Sequence, residues 1–274
     1  MARQYGVSTC LYQQRRLGRD HLLEIAAHGF DAVELFAARL HLDYHNPVCV
    51  SDLQQWLTEA DLELTSVHAP VIEASLASAD AGEREQAIAE TERALHIGRR
   101  IQFRSLVVHL GKPRTAGARG GTNRDAARRS VDALAKAAEP LGIDIALEVI
   151  PNDLSRAASL TELVDEDIEA ANVGICLDLG HARIDHPGGD VGEAVEVAAG
   201  HLLAIDVHDN RGRSDDHLVP FDGVIDWPAA LTSVQKVGYD GPLTFELSTR
   251  GSPRDALARA RQARTRMDKL MAVR

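Results

Sequence analysis

Eight short apolar runs alternate with helical patterns along the chain, and this alternation limits the fold more than any other feature. Each run has four to six residues and is rich in Val, Ile and Leu, as strands covered on both faces are. The runs are Tyr5–Ser8, Ala32–Phe36, Leu64–His68, Ser105–His109, Ile145–Val149, Val173–Leu177, Leu202–Val207 and Leu243–Leu247. Strands that alternate with helices predict a parallel sheet.

Helical patterns occupy the segments between the runs, several of them with capping residues at their starts. A Ser-Leu-Thr-Glu capping-box spacing opens the segment at Ser159, and Asp226 with Pro228 opens another. The predicted helices are Arg19–His28, Ser51–Glu59, Ala81–Arg100, Arg124–Leu141, Ser159–Ala170, Val191–Ala199, Trp227–Val237 and Ser252–Met271.

Eight strand–helix repeats in 274 residues predict an α/β fold, a (β/α)8 TIM barrel forming a single domain over residues 1–274. An open doubly wound sheet is the alternative. The first strand is followed by Thr9-Cys-Leu11 with no glycine-rich phosphate loop, which weakens the nucleotide-binding version of that alternative.

Charge and cysteine content narrow the class of protein. Acidic residues outnumber basic ones by 41 to 30, for a net charge of −11, which argues against nucleic-acid binding. Cys10, Cys49 and Cys176 form no CxxC pair, so we expect no thiolate zinc site and a reducing compartment. No signal-peptide pattern or apolar stretch of about 18 residues occurs. We expect a cytoplasmic protein with no membrane segment. The sequence does not fix the oligomeric state, and a homo-oligomer is compatible with it.

Nearly every apolar run ends in a residue that can bind a metal or transfer a proton. Burying such a group is costly unless it is paired or bound to a cation. Neighbouring strands lie about 4.8 Å apart, so residues ending four consecutive strands can converge on one ion. These residues are Glu148, Asp178, His208 and Glu246. Three carboxylates and one imidazole favour Mn²⁺, Mg²⁺ or Co²⁺, with Zn²⁺ as a further candidate.

The sequence around these residues resembles the xylose isomerase-like TIM-barrel superfamily, whose members are commonly called sugar phosphate isomerases/epimerases. The resemblance extends from Tyr5 to the last helix. It is carried by Glu148, Asp178-Leu-Gly-His181, His208-Asp-Asn, Asp215-Asp-His217, Gly223-Val-Ile-Asp-Trp227 and Gly241-Pro-Leu-Thr-Phe-Glu246. The motif set is specific for the superfamily but not for one reaction within it.

The resemblance implies that Glu148, Asp178, His208 and Glu246 bind one divalent metal and that Glu148 and Glu246 transfer protons. A metal that bridges a carbonyl and an adjacent hydroxyl acidifies the α-proton, and a carboxylate can remove it to give an enediolate. We therefore expect a metal-dependent isomerase or epimerase of a sugar or keto-polyol. The same enediolate can instead expel a β-hydroxyl, so a dehydratase (lyase) is an alternative.

A further set of residues is predicted to contact the substrate. His181 lies three residues beyond Asp178, and Arg211 or Arg213 can bind a substrate oxygen or phosphate. Glu34 is either a substrate contact or a strand-end cap. The full set is His68, His109, His181, Arg211, Arg213, Asp215, His217 and Glu34. Ketose 3-epimerases that resemble this chain carry a glutamate where Leu154 stands, which argues against a free-ketose epimerase of that type.

The alternative hypothesis is a multi-zinc phosphodiesterase, since apurinic endonucleases of this superfamily hold three zinc ions with nine ligands. The chain has a residue of the right type for each: His68, His109, Glu148, Asp178, His181, His208, Asp215, His217 and Glu246. The local sequences differ, however. The endonucleases have Asp-Thr-Cys-His where this chain has Asp178-Leu-Gly-His181, and Val71-Ile-Glu-Ala-Ser75 lacks the aromatic residue of their DNA-wedge loop. We therefore favour a small sugar-like substrate over nucleic acid.

Overall fold

All eight predicted strands form and close into one parallel barrel in the computed structural model, which describes residues 3–112, 123–185, 190–248 and 251–272. Each strand pairs with the next, and the last pairs with the first, so the sheet has no open edge. The strands are β1 (Tyr5–Ser8), β2 (Ala32–Phe36), β3 (Glu63–His68), β4 (Ser105–Val108), β5 (Asp144–Glu148), β6 (Val173–Asp178), β7 (Leu202–Val207) and β8 (Leu243–Phe245). The predicted (β/α)8 barrel is confirmed.

Helices cover the outside of the barrel. Those described are α1 (Arg19–Ala27), α2 (Pro47–Ala60), α3 (Ala81–Leu95), α4 (Arg124–Ala138), α5 (Ala157–Asp167), α6 (Leu179–Asp185), α7 (Val191–Ala198), α8 (Trp227–Lys236) and α9 (Pro253–Ala272). None of them combines the length and apolar character needed to cross a membrane.

Helix starts follow the capping side chains, which confirms some predicted boundaries and corrects others. Asp226 caps α8 as predicted, since its carboxylate accepts a hydrogen bond from the Ala229 amide. The predicted start at Ser51 is wrong, because the Asn46 side chain caps α2 and Pro47 opens it. The capping box at Ser159 is also wrong. This serine lies inside α5 and donates its hydroxyl to the Asp153 carbonyl.

The barrel interior is filled by small side chains. Successive residues of a strand face opposite sides of the sheet, so alternate positions point inward. Four of these positions form a buried cluster apart from the main core: Val107, Ala146, Cys176 and Ala204. His109, Glu148 and Asp178 lie two residues after Val107, Ala146 and Cys176, so their side chains point to the same inner side of the barrel. The interior therefore ends, at the carboxyl side of the strands, in a layer of ionisable side chains.

Candidate metal centre

The four predicted metal ligands meet at the carboxyl ends of neighbouring strands. Glu148 and Asp178 are the last residues of β5 and β6, while His208 and Glu246 directly follow β7 and β8. All four are buried. Asp178, His208 and Glu246 offer ligand atoms within 4.8 Å of one another. Glu148 forms a second such group with Asp178 and His181. Asp178 thus links all four predicted ligands into one cluster.

One side-chain atom of each predicted ligand is buried without a well-aligned hydrogen bond among the described residues. These atoms are Glu148 Oε1, Asp178 Oδ2, His208 Nε2 and Glu246 Oε2, although His208 Nε2 lies 3.0 Å from Asp178 Oδ1 and His181 Nδ1 lies 3.1 Å from Glu148 Oε1. Buried polar atoms in folded proteins are nearly always paired, so four orphaned acceptors in one cluster need a common partner. A divalent cation is the partner that satisfies oxygen and imidazole-nitrogen lone pairs together. The donor set therefore fits a metal ion.

Glu148 is held in place by histidines. His68 Nε2 and His109 Nε2 both donate to its Oε2 atom, at 2.9 and 2.7 Å. The third histidine, His181, has its Nδ1 atom 3.1 Å from Oε1. Burial disfavours the charged carboxylate, yet these histidines hold the pKa of Glu148 well below its ordinary value. Glu148 is therefore an oriented anion with one oxygen left for a cation.

Position 180, between Asp178 and His181, has room only for glycine. A Cβ at this position would overlap the imidazole ring of His208. Helix α6 begins directly after β6, so its first turn passes over that ring with no room for a side chain. The glycine therefore allows a strand-end aspartate, a helical histidine and the ring of His208 to occupy one corner of the site.

A second layer of ligand-type residues lies toward solvent. Asp215 Oδ2 accepts hydrogen bonds from His181 Nε2 at 3.2 Å and His217 Nε2 at 2.9 Å. The His217 ring stacks on that of His208 with centroids 4.2 Å apart. Burial alone would lower the pKa of His217, but Glu246 and Asp215 outweigh it and raise the pKa to about 9. Asp215 and His217 thus form a charged rim above the buried cluster.

Asp209, which was not singled out from sequence, organises the loop that carries this rim. Its buried carboxylate accepts hydrogen bonds from five donors. These are the amides of Asn210, Phe221, Val224 and Ile225 and the indole Nε1 of Trp227. A Cβ at Gly223 would overlap the Asp209 carboxylate. The Gly223–Trp227 motif is therefore built around Asp209.

Two buried carboxylates lie beside the cluster. Burial raises the pKa of Glu34 to about 7, and its Oε2 atom accepts a hydrogen bond from Ser66. Burial also raises the pKa of Asp206 well above its ordinary value, with further contributions from Glu34 and Glu246. The Cys176 thiol lies 3.0 Å from Asp206 Oδ2. The environment thus favours the neutral form of Asp206 and brings the pKa of Glu34 near neutral pH, which lowers the negative charge under the site.

A cavity of about 670 Å³ opens above the ligand cluster. One side is lined by the ionisable residues Glu148, His109, His181, Asp215, His217 and Glu246. Another part of the lining comes from the end of β2 and from the segments after β2 and β3, and includes Phe36, Leu40, Tyr44, Pro70, Val71 and Ile72 together with Arg39. Its volume is in the range of small-molecule sites. The site combines an ionisable floor with a largely apolar wall.

The predicted substrate contacts divide into two groups. His109, His181, Asp215 and His217 line the cavity. The others do not appear in its described lining: Glu34 and His68 are buried against Ser66 and Glu148, and Arg211 and Arg213 are exposed. Their roles stay predictions. Tyr44 and Leu40 were missed because their segment carries no metal-ligand pattern.

Comparison with known families places most of the barrel, from α1 to α9, in a recognised group. A family model described as a xylose isomerase-like TIM barrel matches residues 22–270. An uncharacterized protein of Methanocaldococcus jannaschii is 28% identical over 248 residues, covering 88% of this chain and 83% of that protein.

Two further similarities are to a protein named as an epimerase and to one described as epimerase-like. The D-psicose 3-epimerase of Ruminiclostridium cellulolyticum is 26% identical over 242 residues, covering 82% of this chain and 76% of that enzyme. A crystal structure of a D-tagatose 3-epimerase-like protein has a TM-score of 0.82 and 26% identity, and covers 98% of this chain and 97% of that one.

Replacing Asp209 by Asn is expected to destabilise the protein by about 2–3 kcal/mol, because an amide NH₂ would face donors that now share a carboxylate. Urea unfolding followed by circular dichroism measures the change. Asp222→Asn is the matched control in the same loop. Asp222 forms a surface ion pair with Arg259 whose loss should cost no more than about 1 kcal/mol. Equal stabilities of the two variants would contradict the role of Asp209.

Gly180→Ala is expected to weaken Mn²⁺ or Co²⁺ binding by at least about tenfold, because the new methyl group displaces the His208 ring. Isothermal titration of the metal-free protein measures the affinity. Gly200→Ala serves as the control, since no atom lies within 4 Å of a Cβ there. Unchanged metal affinity in a folded Gly180→Ala protein would show that the ring position does not matter.

Proposed function

The chain belongs to the xylose isomerase-like TIM-barrel family, and from that premise we propose that it is a divalent-metal-dependent isomerase or epimerase of a sugar or keto-polyol. The observation that carries the proposal is the cluster of four orphaned ligand atoms on Glu148, Asp178, His208 and Glu246. The similarity to two epimerase-type proteins over most of their length supports the same class.

The metal would be held by these four residues, and Mn²⁺, Mg²⁺ or Co²⁺ suit their oxygen-rich donor set. When bound, a divalent ion polarises a substrate carbonyl and lowers the pKa of the adjacent C–H group. The histidines around Glu148 orient its carboxylate before any substrate arrives. Such preorganisation avoids a reorganisation cost during the reaction.

Glu148 and Glu246 are proposed as the proton carriers. Both line the cavity, and each keeps one carboxylate oxygen without a hydrogen bond. A carboxylate removes the proton next to the carbonyl, giving an enediolate. Return of a proton to the neighbouring carbon gives isomerisation, and return to the opposite face of the same carbon gives epimerisation. Two glutamates allow either outcome.

The proposed substrate is a small sugar or cyclic keto-polyol. His181, Asp215 and His217 offer donors and acceptors to its hydroxyl groups, while Phe36 and Ile72 provide apolar contacts for its carbon skeleton. Leu154 is packed in the hydrophobic core, so the position that is glutamate in related ketose 3-epimerases supplies no carboxylate here. We therefore infer a substrate that differs from a free ketose. Arg211, Arg213, Glu34 and His68 are kept as further substrate contacts in the proposal.

Three cysteines remain free thiols in the structure, in keeping with the cytoplasmic location that we infer. A dehydratase acting on a related keto-polyol would use the same proton abstraction. We keep it as a variant of the proposal, to be separated by product analysis.

A multi-zinc phosphodiesterase is the second candidate, and one observation favours it. Two further groups place ligand atoms within 4.8 Å: His68 with His109 and Glu148, and His181 with His208, Asp215 and His217. Each could hold an additional ion, and multi-metal sites suit phosphodiester cleavage. Against it, His68 and His109 already donate to one Glu148 oxygen, as orienting groups for a single-metal site do.

Metal content distinguishes these candidates. We expect about one Mn, Mg, Co or Zn per chain in protein purified without chelator or added metal, because the four strand-end ligands complete one site. Inductively coupled plasma mass spectrometry measures it. Two or three zinc ions per chain would contradict the single-ion proposal, and hydrolysis of abasic-site DNA would then be the first assay.

Glu246→Gln is expected to lower turnover at least about a hundredfold by removing one proton carrier, while the fold is kept. Solvent deuterium incorporation into a panel of keto-sugars, inososes and dehydroshikimate measures proton exchange directly. Glu85→Gln, on the exposed face of α3, is the control. Metal content is measured for each variant. Wild-type exchange in a metal-loaded Glu246→Gln protein would make the two-glutamate mechanism wrong.

A further inference from the structure

A second cavity of about 670 Å³ lies on the outside of the barrel, between α2 and the carboxyl end of α3. Basic side chains dominate its lining: Arg39, His45, Arg93, His96, Arg99 and Arg100. This concentration stands out in a chain whose net charge is −11. We propose that this arginine groove binds a phosphorylated small molecule at a site separate from the metal centre.

Arg99 and Arg100 have guanidinium groups free to bind an anion. In the described part of the chain, no carboxylate lies within 4.0 Å of either one. Arg100 Nη2 donates to Ser51 Oγ at 3.0 Å, and Arg99 Nη2 lies 3.0 Å from His96 Nε2. Each guanidinium carries five N–H donors, so most of these donors remain for a ligand.

Arg124, by contrast, shows how arginines elsewhere in this chain are neutralised. It contacts three carboxylates, those of Glu162, Glu166 and Asp167. Two adjacent arginines that face one cavity without such partners leave a local excess of positive charge.

The acidic groups near the groove do not cancel this charge. Glu90 already accepts hydrogen bonds from Tyr44 Oη, His45 Nε2 and Arg93 Nη1, at 2.6 to 2.8 Å. Asp43 Oδ1 lies 3.7 Å from Arg39 Nε, and Glu92 acts on His96 from nearby. Arg39 and Arg93 have carboxylate partners, whereas Arg99 and Arg100 have none among the described residues. These two remaining charges favour an anion with more than one charge.

A phosphate group matches this chemistry best. The planar guanidinium fork binds phosphate oxygens in pairs, and two neighbouring forks can hold one phosphate or a diphosphate. The cavity has the size of a small-molecule site rather than an extended polymer track. The acidic surface elsewhere disfavours a nucleic-acid polymer. The chemical class is therefore a sugar phosphate or a nucleotide.

The arginine groove shares residues with the cavity above the metal ligands. Arg39 and Tyr44 line both, and Glu90, which binds Tyr44, lines the metal-side cavity. A phosphate bound in the groove would thus contact the same wall that faces the substrate. The groove is placed to influence substrate binding without touching the metal ligands.

Titration calorimetry with inorganic pyrophosphate at low salt tests the proposal on the metal-loaded protein. We expect saturable binding to the groove, and an affinity at least about tenfold weaker in Arg99→Ala/Arg100→Ala. The control is Arg254→Ala/Arg261→Ala, which removes the same charge from exposed positions on α9 and should leave the affinity unchanged. Thermal unfolding checks that each variant is folded.

Absence of saturable binding by the wild-type protein would overturn the proposal. So would equal affinity of the wild type and Arg99→Ala/Arg100→Ala, since the pyrophosphate would then bind elsewhere, for instance at the metal centre. Arg99→Lys/Arg100→Lys keeps the charge but loses the planar fork. An intermediate affinity in this variant supports paired guanidinium–phosphate contacts, and it replaces the alanine variant if that protein does not fold.

Discussion

Repulsion among buried carboxylates at one end of the barrel is the constraint to which the rest of the site responds. Glu148 and Glu246 each offer a ligand atom within 4.8 Å of one on Asp178, and burying each charge costs several kcal/mol unless it is compensated. Histidines compensate part of the charge, and burial favours the neutral form of Glu34 and Asp206. The carboxylate oxygens of Glu148, Asp178 and Glu246 that lack a hydrogen bond mark the place where a cation would neutralise the remaining negative charge.

Holding these groups at fixed distances depends on backbone features more than on bulky packing. Gly180 lets the first turn of α6 pass over the ring of His208, and Gly223 lets the loop after β7 close on Asp209. Asp209 then fixes that loop through four amides and one indole. The metal-side half of the site is consequently positioned by hydrogen-bonded strands and by turns that only glycine permits.

Most of the fold, and the meeting of the candidate ligands, could be predicted because both depend on local patterns. Apolar runs locate strands, and a barrel places every strand's carboxyl end at one face, so the closeness of Glu148, Asp178, His208 and Glu246 follows from their positions, whereas their role as metal ligands stays a prediction. Helix α6 was missed because it has seven residues and begins without a cap or loop. The predicted start at Ser159 is wrong because α5 begins two residues earlier, at Ala157, and the Ser159 hydroxyl donates to the Asp153 carbonyl instead of capping the helix. Asp209 and Tyr44 escaped detection because their partners are distant in the sequence or belong to an irregular segment.

The two halves of the cavity are built from different kinds of structure. The ligands stand on strands whose positions are fixed by the closed barrel, whereas the largely apolar wall, including Leu40 and Val71, stands on connecting segments after β2 and β3. Leu40 is 91% exposed, so it contributes little to the packing of the barrel. Such connections tolerate substitution and insertion far better than strands do. Reactivity and selectivity are thus separable in this protein, and a library confined to exposed positions of this wall, such as Leu40 and Val71, would explore new substrates while leaving the reaction centre intact.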